Sequence, residues 1–182
     1  MTHDRSGAVT LRDPVATDAE IHVSYFPPVE FVRMYGGDSG SIQQPELAAS
    51  HRWVEWLKQQ PYAKIIEADG AAVGHLRLHT LSHSDHKARL AIGMFATDFA
   101  GKGIGRKAIM LALDHAFGVM RLHRVDLRVL AYNERAIRCY RACGFRHEGT
   151  EREAALVDGT WHDDWIMGVL AHEHELRRSE QI

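Results

Sequence analysis

The sequence predicts a mixed α/β fold, in which one mostly antiparallel sheet of six or seven strands carries helices on both faces. Alternating or continuous apolar runs of strand length occur near both ends of the chain. The turn-forming pairs Asp69-Gly70 and Asp158-Gly159 each join two of these runs into a hairpin. Helical patterns interrupt the strands without the regular strand–helix alternation of a doubly wound sheet, so a mixed sheet is expected.

The first half of the chain contains one isolated strand, a broken helical region and three consecutive strands. Pro27 and Pro28 exclude one continuous helix across residues 18–34, because proline interrupts a helix interior. Pro61 ends a longer helix whose apolar face includes Trp53 and Leu57. The predicted elements are a strand at 9–12, helices at 30–35 and 45–59, and strands at 63–68, 72–80 and 87–95.

The second half begins with a glycine-rich segment that opens a long helix. Gly144 ends a second, shorter helix, and the last two strands form a hairpin. The predicted elements are helices at 103–117 and 133–142 and strands at 125–130, 145–156 and 161–170. The charged tail at 173–182 is expected to fray. Residues 1–182 are expected to form one domain.

Composition and charge restrict the function classes. The chain has 182 residues, of which 45% are hydrophobic and 25% charged, and its net charge of −2 provides no basic excess for general nucleic-acid binding. No apolar run reaches the ~20 residues of a membrane span, and the polar N-terminus lacks a signal-peptide core, so a cytoplasmic protein is expected. Cys139 and Cys143 are expected to be free thiols, because two cysteines make no disulfide framework.

A glycine-rich loop between a predicted strand and the long helix is the strongest candidate for a binding site. Gly101, Gly103 and Gly105 lack Cβ atoms, so successive backbone N–H groups of this loop can point at one ligand. The helix that follows adds its unpaired N–H groups and the positive end of its dipole. Lys102 and Arg106 add positive charge. These features predict a phosphate site.

The loop fits neither of two common nucleotide-binding patterns. The dinucleotide fingerprint requires a third glycine where this chain has Arg106. The Walker A pattern requires Ser or Thr after Gly-Lys, and Gly101-Lys102 is followed by Gly103. The loop alone therefore leaves the ligand open, and a tight turn without any ligand remains an alternative.

Two segments together resemble the GNAT superfamily of N-acetyltransferases. They are Ala100–Ala108, which reads AGKGIGRKA, and Asn133–Tyr140, which reads NERAIRCY and is followed by Gly144-Phe145. The C-terminal segment resembles the branch that contains ribosomal-protein-alanine and spermidine acetyltransferases. The resemblance is strong over residues 63–170 and weak over 13–45. It implies the acyl-CoA N-acyltransferase fold and acetyl-CoA as co-substrate; separately, no metal is expected.

The resemblance also implies a role for each matching residue. The predicted strands 87–95 and 125–130 splay apart, and the pantetheine arm of acetyl-CoA lies in the gap, with its pyrophosphate on the glycine loop. Asn133 contacts the arm, and Tyr140 faces the sulfur and protonates the leaving thiolate. The expected cofactor-binding residues are Gly93, Met94, Ala100, Gly101, Lys102, Gly103, Ile104, Gly105, Arg106 and Asn133, and the expected catalytic residue is Tyr140.

The implied reaction is direct transfer of the acetyl group to a primary amine, without an acyl-enzyme. The amine must be neutral to attack, so a base or a water chain must take its proton. The backbone N–H of Met94 is expected to stabilise the oxygen that gains negative charge. Arg89 stands where many members carry an acidic residue, and Ala100 where many carry Arg or Gln. The remaining candidates for the base are Glu67, His75, His79 and Asp163.

The acceptor stays open among a protein N-terminus, a polyamine and a small amine. Its pocket is expected to draw on residues 13–41, 67–79 and 161–165. A non-catalytic module that binds or senses acetyl-CoA is the alternative function, and a homodimer is a further expectation. His75 and His79 would lie roughly 13 Å apart on one strand face, too far for one metal ion. Cys139 has no recognisable His-plus-acid partners for covalent catalysis.

Overall fold

The computed structural model describes residues 8–99 and 101–180, apart from the side chains of residues 41 and 97. These residues form seven strands and six α-helices. The strands are β1 (Val9–Arg12), β2 (Tyr62–Ala68), β3 (Ala71–Ser82), β4 (Lys87–Met94), β5 (Arg124–Leu130), β6 (Arg146–Val157) and β7 (Thr160–Leu170). The helices are α1 (Asp18–Ser24), α2 (Val29–Met34), α3 (Leu47–Lys58), α4 (Ile104–Gly118), α5 (Glu134–Ala142) and α6 (Ala171–Ser179).

The strands form one seven-stranded sheet in the order β1-β2-β3-β4-β5-β7-β6. Every neighbouring pair is antiparallel except β4 and β5, which are parallel. Both predicted hairpin turns are present, with Asp69, Gly70, Asp158 and Gly159 all at positive φ, as a two-residue turn of this kind requires. The mixed, mostly antiparallel sheet predicted from the sequence is confirmed.

Side-chain alternation along the strands places a hydrophobic core on each face of the sheet. On β2, Ile66 packs into the larger core beneath α4, whereas its neighbour Ile65 packs into a smaller core with Leu57 of α3. Helices α4 and α5 add Ala112, Leu113, Ile137 and other apolar side chains to the larger core. Helices therefore cover both faces, as predicted.

The region between β1 and α3 is more regular than the sequence indicated. Pro27 and Pro28 separate two short helices, and the first of them, α1, was not predicted. The carboxylate of Asp18 in α1 is fully buried and forms a salt bridge with Arg12 of β1, 2.6 Å between Nη2 and Oδ1. It also accepts a hydrogen bond from the backbone of Val15. These contacts of one buried carboxylate with β1 and with the turn before the helix, rather than helix propensity, hold α1 in place.

The expectation of a frayed tail over 173–182 is wrong for residues 173–179, which belong to α6, and residues 181–182 lie outside the described chain. His174 is 2% exposed, and its Nε2 lies 2.7 Å from Oδ1 of Asp114 in α4. Arg177 donates a hydrogen bond to the carbonyl oxygen of Ala142. The charged residues that suggested a solvated end therefore have partners elsewhere in the fold, which sequence position cannot show.

Candidate active site

The sheet opens where β4 and β5 part. Only three residue pairs join these strands, ending at Arg89 and Asp126, after which the strands diverge. Along residues 90–94, the edge of β4 that faces β5 has no strand partner in the described chain. A cleft of about 820 Å³ occupies the gap and extends from the glycine loop to the opposite face of the sheet. The splayed geometry expected from the sequence is thus present.

The glycine loop forms one end of this cleft. Gly101 and Gly103 have φ values of +75° and +79°, a left-handed conformation that side chains rarely adopt. Gly103 is the N-cap of α4, so the unpaired N–H groups of the first helical turn begin at the cleft. Gly105 and Arg106 also line the cleft. Backbone N–H groups, a helix N-terminus and a guanidinium together form an anion site.

The expected cofactor-binding residues fall into three groups. Met94, Gly101, Gly103, Gly105, Arg106 and Asn133 all line the one cleft. Gly93, Lys102 and Ile104 do not: Ile104 turns its side chain into the core, and Gly93 lies against His75 on the other face of the sheet. Ala100 lies outside the described residues. The cofactor contacts of all these residues stay predictions.

Asn133 has two structural tasks beside the cleft. Its Oδ1 accepts a hydrogen bond from the backbone of Ala136, 3.1 Å away, and so caps α5. Its Nδ2 donates to the carbonyl oxygen of Met34, 2.9 Å away. Asn133 is only 7% exposed. The side chain therefore connects α5 to the segment that follows α2, and one amide hydrogen remains for a ligand.

Tyr140 lies on α5 and lines the cleft. Its ring packs edge-on against Phe145, with 6.0 Å between ring centroids. Burial raises the pKa of the Tyr140 phenol well above its usual value near 10, and the nearby Tyr35 raises this pKa further. Tyr140 is therefore protonated at neutral pH and can donate a hydrogen bond or a proton.

Tyr35 is a cleft residue that sequence reasoning missed. It directly follows α2, and its hydroxyl oxygen accepts a hydrogen bond from the backbone N–H of Met94, with an N–O distance of 3.1 Å. The residue is 52% exposed, but burial of its hydroxyl end raises the phenol pKa. A tyrosine in a segment without periodicity carries no sequence signal, because only the fold brings it to β4.

The end of the cleft opposite the glycine loop is lined by charged side chains. Nε of Arg89 lies 2.6 Å from Oδ1 of Asp126, and Nη1 of Arg128 lies 2.7 Å from Oε2 of Glu151. Asp164 has no salt bridge within the described part of the chain, and burial raises the pKa of its carboxyl. Each segment expected to form the acceptor pocket contributes to the lining, with Met34, Tyr35 and Gly36 from the first, His79 from the second and Asp164 from the third.

Comparison with known proteins identifies the family. A family model described as an acetyltransferase (GNAT) domain matches residues 8–146. The chain belongs to the GNAT acetyltransferase family. It is 30% identical to a spermidine N(1)-acetyltransferase of Escherichia coli K12 over 110 residues, which make up 60% of this chain and 59% of that enzyme. It is 28% identical to the L-amino acid N-acetyltransferase AaaT of the same organism over 131 residues, 70% of this chain and 80% of that enzyme.

Solved structures support the fold at lower sequence identity. The crystal structure of a spermidine N-acetyltransferase from Vibrio cholerae in complex with CoA and spermine superimposes with a TM-score of 0.77. The two sequences are 21% identical, and the match covers 92% of this chain and 98% of the other. At that identity the likeness shows the shared GNAT fold, which confirms the fold expected from the sequence.

The structure narrows the choice of a general base in this GNAT protein. Glu67 forms a salt bridge with Arg12 away from the cleft, and His75 lies behind β4 in an aromatic cluster. The carboxylate of Asp163 accepts a hydrogen bond from the backbone of Glu153. Of the four sequence candidates, only His79 lines the cleft, and burial lowers its pKa.

Asp164 also lines the cleft, whereas its neighbour Asp163 is the candidate base expected from the sequence. Adjacent residues on a strand point to opposite faces, so at most one of the pair could face the cleft. The register of β7 against β5, which pairs Asp164 with Leu130, decides which one it is. This register is set by tertiary pairing and was not available from the sequence.

The two cysteines are free thiols, as predicted. Cys139 lines the cleft, and a hydrogen bond from Cys143 lowers its pKa. The thiol of Cys143 is buried and lies 3.8 Å from the carbonyl oxygen of Arg106. Within the described part of the chain, no group of His, Cys, Asp and Glu side chains could hold a metal ion. Its helices include none that is long and apolar enough to cross a membrane.

Proposed function

We propose that this protein transfers the acetyl group of acetyl-CoA directly to a primary amine. The observation that carries the proposal is the continuous cleft between β4 and β5. An anion site at Gly101–Arg106 forms one end, and Met94 and Tyr140 line the same cleft. A long ligand with phosphates at one end and a reactive group at the other fits this arrangement.

The described residues fit coenzyme A on two separate grounds. The loop glycines and the N-terminus of α4 would hold the pyrophosphate, with Arg106 supplying positive charge. Along residues 90–94, the edge of β4 that faces the gap has no strand partner in the described chain, and the N–H of Met94 there donates to the hydroxyl of Tyr35. Backbone N–H and carbonyl groups of such an edge are the partners that the amide groups of a pantetheine arm need. Acetyl-CoA bound there would supply the activated acetyl group.

Tyr140 is proposed as the general acid toward the thiolate of coenzyme A. Its raised pKa keeps the phenol protonated at neutral pH, which a proton donor requires. The amine must lose a proton before it attacks, and His79 and Asp164 are the side chains in the cleft that could accept it, directly or through water. In this direct transfer the amine attacks the carbonyl carbon itself, so no acyl-enzyme forms.

The acceptor is proposed to be a primary amine, with a polyamine, another small amine and a protein N-terminus as the candidates. The chain spans about three fifths of the length of the E. coli spermidine acetyltransferase that it matches. The match alone therefore does not assign spermidine as the substrate of this protein. Arg89 and Arg128 each have a carboxylate partner, which leaves Asp164 available to an ammonium group. Cytoplasmic location and a homodimer also stay predictions.

Release of free thiol tests this proposal. The protein is incubated with acetyl-CoA and separate amines: spermidine, spermine, L-amino acids, an amino sugar and a peptide with a free N-terminus. Thiol release that depends on one amine class supports acetyl transfer, and mass spectrometry of the product identifies the acetylated nitrogen. Binding of acetyl-CoA without turnover of any amine would favour the sensing module instead. Thermal stabilisation by CoA, compared with NAD and ATP, tests the cofactor separately.

A further inference from the structure

The segment of residues 33–39, called the α2 loop below, forms part of the cleft wall. Met34, Tyr35 and Gly36 of this loop line the cleft. Residues 35–38 lie outside the helices and strands, and Gly36 has a φ of +80°. Because regular hydrogen bonding does not set the course of such a loop, contacts with other elements must hold it in place.

One carboxylate binds both ends of the α2 loop. Oδ2 of Asp158, in the turn between β6 and β7, lies 3.0 Å from Nε of Arg33. Oδ1 of Asp158 accepts hydrogen bonds from the backbone N–H and from the hydroxyl of Ser39, both at 2.7 Å. The backbone N–H of Asp158 donates to Oδ1 of Asp38, also at 2.7 Å. A single residue thus joins the start and the end of the loop to the β6–β7 turn.

These contacts depend on the charge of Asp158. The N–H and the hydroxyl of Ser39, followed by the guanidinium of Arg33, hold the pKa of the Asp158 carboxyl below its usual value. The carboxyl is therefore ionised throughout the neutral pH range. Hydrogen bonds to an ionised acceptor are stronger than those between neutral groups.

The bonds from α5 hold only the start of the α2 loop. The hydroxyl of Tyr132 donates to the carbonyl oxygen of Arg33 at 2.6 Å, and Nδ2 of Asn133 donates to that of Met34 at 2.9 Å. The bonds of Asp158 also reach Ser39, at the other end. Asp158 therefore decides whether the loop is held at both ends.

Asp158 also lies where two parts of the expected acceptor pocket meet. Strand β7, which begins at Thr160, carries Asp164 into the cleft, and the α2 loop carries Tyr35 there. The two segments are distant in sequence and do not pair as strands. Side-chain contacts such as those of Asp158 therefore set the distance between these two walls of the cleft.

We propose that Asp158 is a positioning residue that orders the acceptor side of the cleft before the amine binds. This inference rests on the proposed acetyl transfer. Asp158 does not line the cleft and acts through the α2 loop. A loop already held in its binding conformation spares the amine the entropic cost of ordering it. Loss of Asp158 should therefore raise KM for the amine and leave kcat largely unchanged.

The test compares Asp158→Gly with wild type, using Asp69→Gly as the matched control. Asp69 and Asp158 occupy the same position of an Asp-Gly hairpin turn, with φ values of +52° and +48°. Glycine adopts this conformation readily, so both variants should keep their turns. Asp69 lies in the turn between β2 and β3 and does not line the cleft.

Kinetics are measured with the amine that gives the fastest thiol release. We expect KM for this amine to rise at least about fivefold in Asp158→Gly, because binding must then order the loop. The kcat and the affinity for CoA should stay within about twofold of wild type. Asp69→Gly should keep the wild-type KM. An unchanged KM in Asp158→Gly, or an equal rise in both glycine variants, would overturn the proposal.

The conservative variant Asp158→Asn separates the two ends of the loop. Asparagine tolerates positive φ and keeps an oxygen that can accept from Ser39, but it has no charge to pair with Arg33. Its KM for the amine should lie between those of wild type and Asp158→Gly. A KM above that of Asp158→Gly would contradict the role assigned to the contacts with Ser39.

Hydrogen exchange provides a readout that does not depend on turnover. The amide of Ser39 is bound to Asp158, so amides in peptides that cover residues 35–39 should exchange faster in Asp158→Gly than in wild type or Asp69→Gly. Equal exchange would show that Asp158 does not hold the loop. Faster exchange with an unchanged KM would overturn the positioning role. If the loop is protected in wild type but no amine is acetylated, the proposed function fails, whereas the attachment of the loop by Asp158 stands.

Discussion

The side-chain amide of Asn133 donates a hydrogen bond to the carbonyl oxygen of Met34, and the two atoms lie 2.9 Å apart. This bond joins the N-terminus of α5, the helix that carries Tyr140, to the residue immediately before Tyr35. The same side chain caps α5 through its oxygen. One residue thus links the two phenols that line the cleft, although almost 100 positions separate Asn133 from Met34 (|i−j| is 99).

Substitutions at Asn133 should separate its role as the cap of α5 from its hydrogen bond to Met34. Asn133→Ala removes the cap and leaves the carbonyl of Met34 unpaired, so the free energy of unfolding should fall by about 2 kcal/mol or more. Asn133→Ser keeps a capping oxygen and should recover about 1 kcal/mol in urea unfolding. Acetyl transfer should stay reduced in both variants, because neither holds Met34. Wild-type turnover in Asn133→Ser would show that this bond does not position the cleft.

Tyr140→Phe should lower kcat for acetyl transfer at least about tenfold, since general acid catalysis typically contributes more than that. The variant keeps the ring that packs on Phe145, so unfolding in urea and affinity for CoA should match wild type. Because burial raises the pKa of Tyr140, we also expect no loss of wild-type kcat through its ionisation below about pH 10. Thiol release at saturating acetyl-CoA measures both effects, and unchanged turnover would remove Tyr140 from the role.

Gly103 and Gly105 should respond differently to alanine. Gly103 has a φ of +79°, so alanine there should cost about 1–2 kcal/mol and move the N–H groups that open α4. A Cβ at Gly105 meets only Sγ of Cys139, at 4.0 Å, and Gly105 lies within α4, where alanine is the better helix former. Urea unfolding should therefore rank Gly105→Ala at or above wild type and Gly103→Ala below it. Equal losses in the two variants would show that backbone conformation is not the cause. CoA affinity should also fall in Gly103→Ala.

His75 should make folding stability depend on pH. Burial, followed by the charges of Arg77 and His22, lowers its pKa to about 4, against 6.5 in an unfolded chain. Between these values the unfolded chain binds a proton that the folded chain does not, so stability falls as pH falls from 6.5 toward 4. The full loss is about 3 kcal/mol.

The matched variants for this prediction are His75→Leu and His83→Gln. His75→Leu cannot titrate, so its free energy of unfolding should change less between pH 6.5 and 4.5 than that of wild type. His83 lies on an exposed turn, and His83→Gln should keep the wild-type dependence. Urea titrations at several pH values provide the comparison. Parallel curves for wild type and His75→Leu would assign the pH dependence to other groups.

Local pattern was sufficient for most of the fold. Alternation predicted the seven strands to within a few residues, and Asp69-Gly70 and Asp158-Gly159 predicted both hairpin turns. Local sequence pattern did not predict helices α1 and α6. Helix α1 is held by the salt bridge between Asp18 and Arg12, and α6 by side chains such as His174 bound to α4 and to α5. Short polar helices lack enough periodicity to be recognised, and the partners of α6 also lie far away in sequence.

The sequence by itself determined the loop Gly101–Arg106, its position at a helix start and the family, because glycine spacing and helix signals are local properties of the chain. Only the tertiary structure decided what faces the gap between β4 and β5. It brought Tyr35 onto the N–H of Met94, placed Asp164 in the cleft and gave Arg89 a carboxylate partner in Asp126. Strand register and the packing of distant segments set these contacts, and neither leaves a pattern along the chain.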